Sequence, residues 1–183
     1  MEIETECKPR RDSLVQEERR AVVLAAVLAI SMVVVPGCRR KERALSNMVN
    51  MSDPTTATQL VSGFHAVESG AWRWTMKRFS LILKPPPGSE QNGATLRLKM
   101  FLSDEQIKNL GPITVSAEVN GVPLQPQTFS KSGETVYSRP VPPEALRAPS
   151  VKASFTLDKA REPDTVDGRQ LGVVAEVIGL SPR

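Results

Sequence analysis

The sequence is poor in cysteine, histidine and aromatic residues, and each shortage excludes a class of site. Its 183 residues include two cysteines, Cys7 and Cys38, and both precede the part expected to fold. The remainder of the chain therefore has no disulfide, thiol nucleophile or thiolate metal site. A single histidine, His65, with scattered carboxylates does not form a zinc ligand set. We predict no bound metal.

The sequence also lacks the motifs of nucleotide-binding proteins and of nucleic-acid-binding proteins. The sequence has no glycine-rich phosphate loop and no dinucleotide fingerprint, so no cofactor is predicted. The formal net charge is only +4, and part of the basic excess is concentrated in residues 39–43, directly after an apolar run. No nucleic-acid-binding motif accompanies this charge, so a nucleic-acid partner is not expected.

Long hydrophobic runs are also missing. The most apolar stretch, AVVLAAVLAISMVVV, covers residues 21–35 and follows Arg19 and Arg20. Fifteen residues at a rise of about 1.5 Å each are short for a bilayer span, and a short apolar run behind positive charge is typical of a secretory signal. We expect residues 1–37 to form a hydrophobic helix that serves as a signal peptide or a signal anchor.

The apolar run ends in Val35-Pro36-Gly37-Cys38. This sequence resembles the lipobox of bacterial lipoproteins, which implies that Cys38 is the site of lipid attachment. An uncleaved anchor whose helix ends at Pro36-Gly37, or an ordinary cleaved signal, would also explain the run. All three alternatives predict a protein of the bacterial cell envelope, with its domain outside the cytoplasm and the membrane as a partner.

Two changes of pattern after the apolar run define the remaining segments. Residues 38–59 are polar and show no hydrophobic period, so we predict a disordered, flexible tether. Residues 60–183 show apolar alternation between turn signals, which predicts a folded domain. Asn120-Gly121 predicts a hairpin, and Pro123 and Pro126 predict that its return strand lies at a sheet edge. Ser103-Asp104-Glu105-Gln106 predicts the cap of one short helical turn.

Alternation of period two predicts about eight strands in that domain. It is clearest over 94–102, 113–120 and 151–157, whereas 171–180 is apolar on both faces and is expected to be central. Short strands without a long helical period indicate an all-β domain, an antiparallel β-sandwich of jelly-roll or Greek-key type.

Two short motifs lie at opposite ends of the domain. The first, GFHAVESGAWRWT, covers residues 63–75, and the second, DGRQLGV, covers residues 167–173. Together they resemble a β-sandwich module of bacterial envelope proteins, which is also appended to glycosyltransferases and to surface-polysaccharide assembly proteins. The residues that carry the resemblance are Gly63, Phe64, Glu68, Arg73, Trp74, Asp167, Arg169, Leu171 and Gly172.

The motif residues support structural and functional interpretations. Trp72 and His65 are the candidate ligand-binding residues, because an indole can stack on a sugar ring and an imidazole can exchange a proton near neutral pH. Trp74 is expected to pack in the core or on the sheet. We predict that Arg73 and Arg169 form ion pairs with the carboxylates of the two motifs and so join the first and last strands.

Two functions follow from these interpretations. The first is a non-catalytic envelope module, anchored in the membrane, that binds glycan or a protein partner in surface-polysaccharide assembly. The alternative is a carbohydrate-active enzyme with Glu68 and Asp167 as its acid/base pair. An arginine near each carboxylate favours the module, and no catalytic residue is assigned.

Overall fold

The computed structural model describes residues 44–183, which form a domain built almost entirely from β-strands. The strands are β1 (Met48–Asn50), β2 (Leu60–Glu68), β3 (Trp72–Leu83), β4 (Ala94–Leu102), β5 (Ile113–Val119), β6 (Val122–Phe129), β7 (Gly133–Val141), β8 (Val151–Leu157) and β9 (Val174–Pro182). The helices are α1 (Ser89–Asn92), α2 (Asp104–Leu110) and two 3₁₀ turns, Ala57–Gln59 and Pro143–Leu146.

All strand pairs are antiparallel, which confirms the predicted all-β class. The strands follow one another in the order β6-β5-β8-β3-β9-β4-β7, with β1 added to β9 and β2 added to β3. The sequence predicted the two separate sheets of a sandwich, whereas the structure has one continuous sheet. The strand β3 accounts for the difference.

The strand β3 belongs to both halves of the sheet because it is twelve residues long. Its second half, Arg78–Leu83, pairs with β8, and its first half pairs with β9 through Arg73 and Trp74. The strand β2 pairs with β3 in both halves, with several register shifts. These pairings make β3 the physical link between the two halves.

The sheet nearly closes on itself where β6 meets β7. The hydroxyl of Tyr137 donates to the Gln125 carbonyl at 3.1 Å. The guanidinium of Arg139 donates to the carbonyls of Gln125 at 2.8 Å and Pro126 at 3.0 Å. Proline removes backbone donors, so side chains on β7 make these links to the proline-containing β6.

The inward-facing residues of the strands form one core. The alternation predicted for 94–102, 113–119 and 151–157 is confirmed, because every second residue there is buried. Phe79 and Phe155 stack in this core with ring centroids 4.9 Å apart. The central position predicted near the C-terminus is also confirmed for β9, which has β4 on one side and β3 and β1 on the other.

The predicted turn and cap signals have the expected geometry. Asn120 and Gly121 have φ of 48° and 79° and connect β5 to β6 in a hairpin, and β6 ends the order of strands as the prolines predicted. Ser103 and Gln106 form a reciprocal capping box at the start of α2.

The tether predicted over 38–59 differs from the structure in its second half. Residues 44–59 belong to the fold: β1 pairs with β9, and the side chains of Val49 and Met51 are buried in the core. The side-chain amide of Gln59 donates to the Ser46 and Ile82 carbonyls. The strand β1 has three residues, too few to show a hydrophobic period. The helix expected in residues 1–37, Cys38 and the start of the tether lie outside the described residues.

Candidate functional site

The two motifs meet in the structure at a contact that we call the joint, formed by Glu68, Asp167, Arg169, Gln170 and Gly172 with the neighbouring parts of β2 and β3. The guanidinium of Arg169 donates to the Glu68 carboxylate at 2.6 Å and to the Asp167 carboxylate at 2.9 Å. One arginine thus binds a carboxylate from each motif, at positions about 100 residues apart in the chain. The side chain of Arg169 is 40% exposed, so this network is open to solvent on one side.

Gln170 extends the joint along β2 and β3. Its carbonyl accepts a hydrogen bond from Nε2 of His65 at 2.8 Å, and its side-chain oxygen accepts one from the Lys77 backbone N–H at 2.9 Å. The half-buried His65 ring therefore holds the second motif against β2. This contact leaves Nε2 engaged with the backbone rather than presented to a ligand.

Gly172 brings the second motif into direct contact with the backbone of β3. Its N–H donates to the Thr75 carbonyl at 2.6 Å, and the Thr75 hydroxyl accepts from the Val173 N–H at 3.0 Å. A Cβ at residue 172 would lie 2.5 Å from the Thr75 hydroxyl and 2.6 Å from the Met76 carbonyl. Only a glycine fits this approach without displacing β3.

Arg73 differs from the sequence prediction. Its guanidinium donates to the backbone carbonyls of Met51 and His65, both at 3.0 Å, rather than to a carboxylate of either motif. The reason is its position: Arg73 and Trp72 are adjacent on β3, so their side chains leave opposite faces of the strand, and it is Trp72 that pairs with Glu68. Arg73 therefore joins β2 to the segment after β1.

The electrostatics of the joint do not suit acid/base catalysis by Glu68 and Asp167. The Arg169 guanidinium, by hydrogen bonding, lowers the pKa of Asp167, and this keeps the carboxylate ionised. A general acid needs the opposite shift, toward a raised pKa. Both carboxylates also bind the same guanidinium, so each already has a cationic partner without a substrate.

A pocket of about 430 Å³ opens beside the joint, on the outer face of β3. We call it the Trp74 pocket. Its apolar part comes from Trp74, Leu110 and Leu171, and the half-buried indole of Trp74 contributes the large flat surface. The residues that line it are Trp74, Ser103, Glu105, Gln106, Asn109, Leu110, Arg161, Asp164 and Leu171.

The polar part of the Trp74 pocket comes from α2 and from the loop before β9. The amide of Gln106 donates to the Gly172 carbonyl, and this contact fixes α2 against the joint. Opposite α2, the guanidinium of Arg161 donates to the Asp164 carboxylate at 2.7 Å. Arg161, with the backbone N–H groups of Asp167 and Val166, lowers the pKa of Asp164 to about 2. The pocket thus offers an aromatic wall facing carboxylate, amide and guanidinium groups.

Trp72 and His65 are the ligand-binding residues predicted from the sequence, whereas Trp74 is the tryptophan that lines this pocket and neither Trp72 nor His65 belongs to the lining. The two tryptophans lie on the same face of β3, and pairing with Glu68 places Trp72 toward the joint. Glu105, Asn109 and Arg161 were missed altogether. The capping signal at Ser103 was the one indication that a helix would stand beside the end of β4, but nothing in the sequence indicated that it would face Trp74.

A second, more open groove of about 610 Å³ crosses the outer faces of β3, β8 and β5. Register places Ser62, Ser80, Ser154 and Glu118 in one row across four strands. The hydroxyls of Ser62 and Ser80 bond to one another at 2.9 Å. Two aromatic residues, Phe79 and Phe155, belong to the lining, but both are buried in the core, so the groove lacks the stacking surface of the Trp74 pocket.

Within residues 44–183, no cluster of three or more histidine, cysteine or acidic side chains is placed to hold a metal ion. The acidic residues of the loop before β9 bind protein groups instead: Asp164 accepts from Arg161, and Glu162 accepts from Gln170. In the same part of the chain, none of the helices has the length and apolar character needed to cross a membrane.

Comparison with known proteins gives a weak structural likeness and no match to a family model. No protein-family model matches the chain, and no curated protein matches it. A solved structure entitled "CBM4 structure and function" is similar over 74% of this chain and 85% of its own, with 11% sequence identity and a TM-score of 0.33. A likeness at this level establishes neither a shared fold nor a shared ligand, and no family is assigned to this chain.

Proposed function

We propose that this protein is a non-catalytic binding module of the bacterial cell envelope that binds glycan in the Trp74 pocket. The observation that carries the proposal is that the indole of Trp74 lines the same pocket as Glu105, Asn109 and Arg161. Pockets of some 300–1,000 Å³ with an apolar surface and a few convergent polar groups are the usual form of small-ligand sites.

The chemistry of the lining suits a sugar. A pyranose ring presents an apolar face of C–H groups and a rim of hydroxyls. The C–H face stacks on an aromatic ring, and the hydroxyls need both hydrogen-bond donors and acceptors. Asn109 supplies both, Glu105 supplies acceptors and Arg161 supplies donors.

The joint supports a structural role for the two motifs. Both of its carboxylates are paired with Arg169, and hydrogen bonding to this guanidinium lowers the pKa of Asp167. Catalysis by Glu68 and Asp167 would require one protonated carboxyl, which this geometry opposes. The absence of an assigned nucleophile in the sequence points the same way, so binding is the activity that we propose.

A glycan panel tests the proposal. The purified domain is applied to immobilised envelope oligosaccharides, and bound protein is measured for the wild type, Trp74→Ala and Trp72→Ala. We expect the wild type to retain at least one glycan, Trp74→Ala to lose roughly tenfold in affinity through lost stacking, and Trp72→Ala to bind as the wild type does. Wild-type protein that retains no glycan would overturn the proposal.

Membrane anchoring is the second part of the proposal. It rests on the apolar run 21–35 and on Val35-Pro36-Gly37-Cys38, because a short apolar run ending in this way is typical of a lipoprotein signal. Cells expressing the tagged full chain are labelled with a radioactive fatty acid. We expect label in the wild type and none in Cys38→Ala, whereas an unlabelled wild type would overturn lipid attachment at Cys38 and leave the uncleaved anchor or the ordinary cleaved signal. A role in surface-polysaccharide assembly follows if the bound glycan is a surface polysaccharide.

A further inference from the structure

We infer that the Trp74 pocket selects neutral or amino-bearing sugars and discriminates against acidic ones. This inference rests on the proposed function and adds the chemical class of its ligand. It comes from the balance of charge around the pocket, where two carboxylates face one guanidinium: Glu105 and Asp164 against Arg161.

The charge of Arg161 is already used within the protein. Its Nε and Nη2 atoms both donate to one carboxylate oxygen of Asp164, at 3.2 Å and 2.7 Å. The hydrogen bond that Arg161 donates to Asp164, and then the negative charges of Asp164, Glu105 and Asp167, raise the pKa of Arg161. An incoming carboxylate would therefore have to compete with Asp164 for this guanidinium.

Glu105 supplies the excess negative charge. It lies in the first turn of α2, its side chain is exposed, and it lines the pocket. The nearby cation Lys159 does not line the pocket, and its ammonium group donates to the carbonyls of Leu110 at 3.0 Å and Pro112 at 2.9 Å. The lining alone thus carries a net charge of −1, from two carboxylates and one guanidinium.

This charge predicts the direction and the size of the selectivity. Two like charges about 4 Å apart in a water-like medium repel by enough to weaken binding roughly fivefold. An amino group in the same place is favoured by a similar factor. The whole chain is mildly basic. If its overall charge controlled binding, acidic sugars would therefore bind more tightly than neutral or amino-bearing ones.

The experiment uses a panel of oligosaccharides with matched neutral, amino-bearing and acidic members. We expect the neutral and amino-bearing members to bind wild-type protein at least about fivefold more tightly than the acidic members at low salt. Raising the salt should strengthen the binding of the acidic members, because screening weakens the repulsion. Acidic members that bind as tightly as neutral ones, or that lose affinity with salt, would overturn the inference.

Glu105→Gln removes the excess charge and keeps the shape of the side chain. We expect the affinity for acidic members to rise several-fold relative to that for neutral members, and the affinity for amino-bearing members to fall relative to that for neutral members. Glu90→Gln, at an exposed position on α1, is the matched control and should leave the order of affinities unchanged. Equal selectivity in Glu105→Gln and the wild type would contradict the assignment to Glu105. Failure of every glycan to bind would instead contradict the proposed function.

Discussion

The joint and the Trp74 pocket lie close together beside the first half of β3 and are built from the same kinds of residue. In the joint, Arg169 pairs with a carboxylate of each motif, and Gln170 bonds through both its backbone and its side chain. In the pocket, the side chains of Glu105 and Asn109 are exposed and face a concave space.

The comparison shows that the partners of a polar residue, rather than its type, indicate its role. A carboxylate bonded to an arginine fork stabilises a contact between chain segments. An exposed carboxylate beside an aromatic wall is available to a ligand. The sequence motifs mark the joint, whereas the pocket depends on residues outside the motifs as well as on Trp74.

The largest effect is expected at Gly172. The new Cβ in Gly172→Ala would lie 2.6 Å from the Met76 carbonyl, which is backbone and cannot rotate away. Overpacking of this kind should lower the free energy of unfolding by about 3 kcal/mol. Gly168→Ala, where a Cβ would meet nothing within 4 Å, is the control. Urea unfolding measures both variants, and equal stability of the two would show that the joint is loosely packed.

Met51 tests whether residues 44–59 belong to the folded domain. Its side chain is 1% exposed, and its carbonyl accepts from Arg73. Met51→Ala should cost about 2 kcal/mol of unfolding free energy, because the core loses apolar contacts. Met48→Ala, at a side chain that is 41% exposed, should cost far less. If the two variants melt at the same temperature, residues 44–59 behave as a tether after all.

The ion pairs of the joint should contribute less than a buried network. Because the Arg169 side chain is 40% exposed, solvent and salt screen its charge. A double-mutant cycle on Arg169→Ala and Glu68→Ala should show a small favourable coupling at low salt that shrinks at high salt. A coupling that salt does not change would indicate that the pair is shielded from solvent.

The smallest expected effect is a loss of folding stability as the pH falls from about 4 to about 2. The folded-state pKa of Asp164 is lowered to about 2 by Arg161, below its ordinary value of 3.8. Stability from this group is therefore fully present above its ordinary pKa and is lost as the pH falls toward 2. Asp164→Asn keeps an acceptor for the loop N–H groups but removes the charge, so its melting temperature should fall less over this range. Parallel curves for the two proteins would show that Asp164 is not paired in solution.

Much of the fold could be predicted, because apolar and polar residues alternate along a strand as its side chains alternate between the core and the surface. The buried faces of β4, β5 and β8 follow the period of two, and Asn120-Gly121 specified its hairpin. The continuous sheet could not be predicted, because strand spacing carries no information on which neighbours β3 adopts in each half. The strand β1 was missed because three residues are too few to show a period.

The joint was predicted in part, and the pocket was not. Matching charges in the two motifs indicated the contact of Arg169 with Glu68 and Asp167. Arg73 makes no such contact, because its side chain leaves β3 on the face opposite to that of Trp72. The role of Trp74 depends on α2 and on Arg161, which meet it only through tertiary packing.

The most direct test of the account compares binding and stability in Trp74→Ala and Arg169→Ala. Glycan affinity is measured by isothermal titration and stability by thermal unfolding, on the same preparations. The account predicts that Trp74→Ala loses roughly tenfold in affinity while remaining folded, and that Arg169→Ala is less stable but keeps its affinity. Glycan binding that is lost in Arg169→Ala and retained in Trp74→Ala would contradict it, because the joint would then be the site.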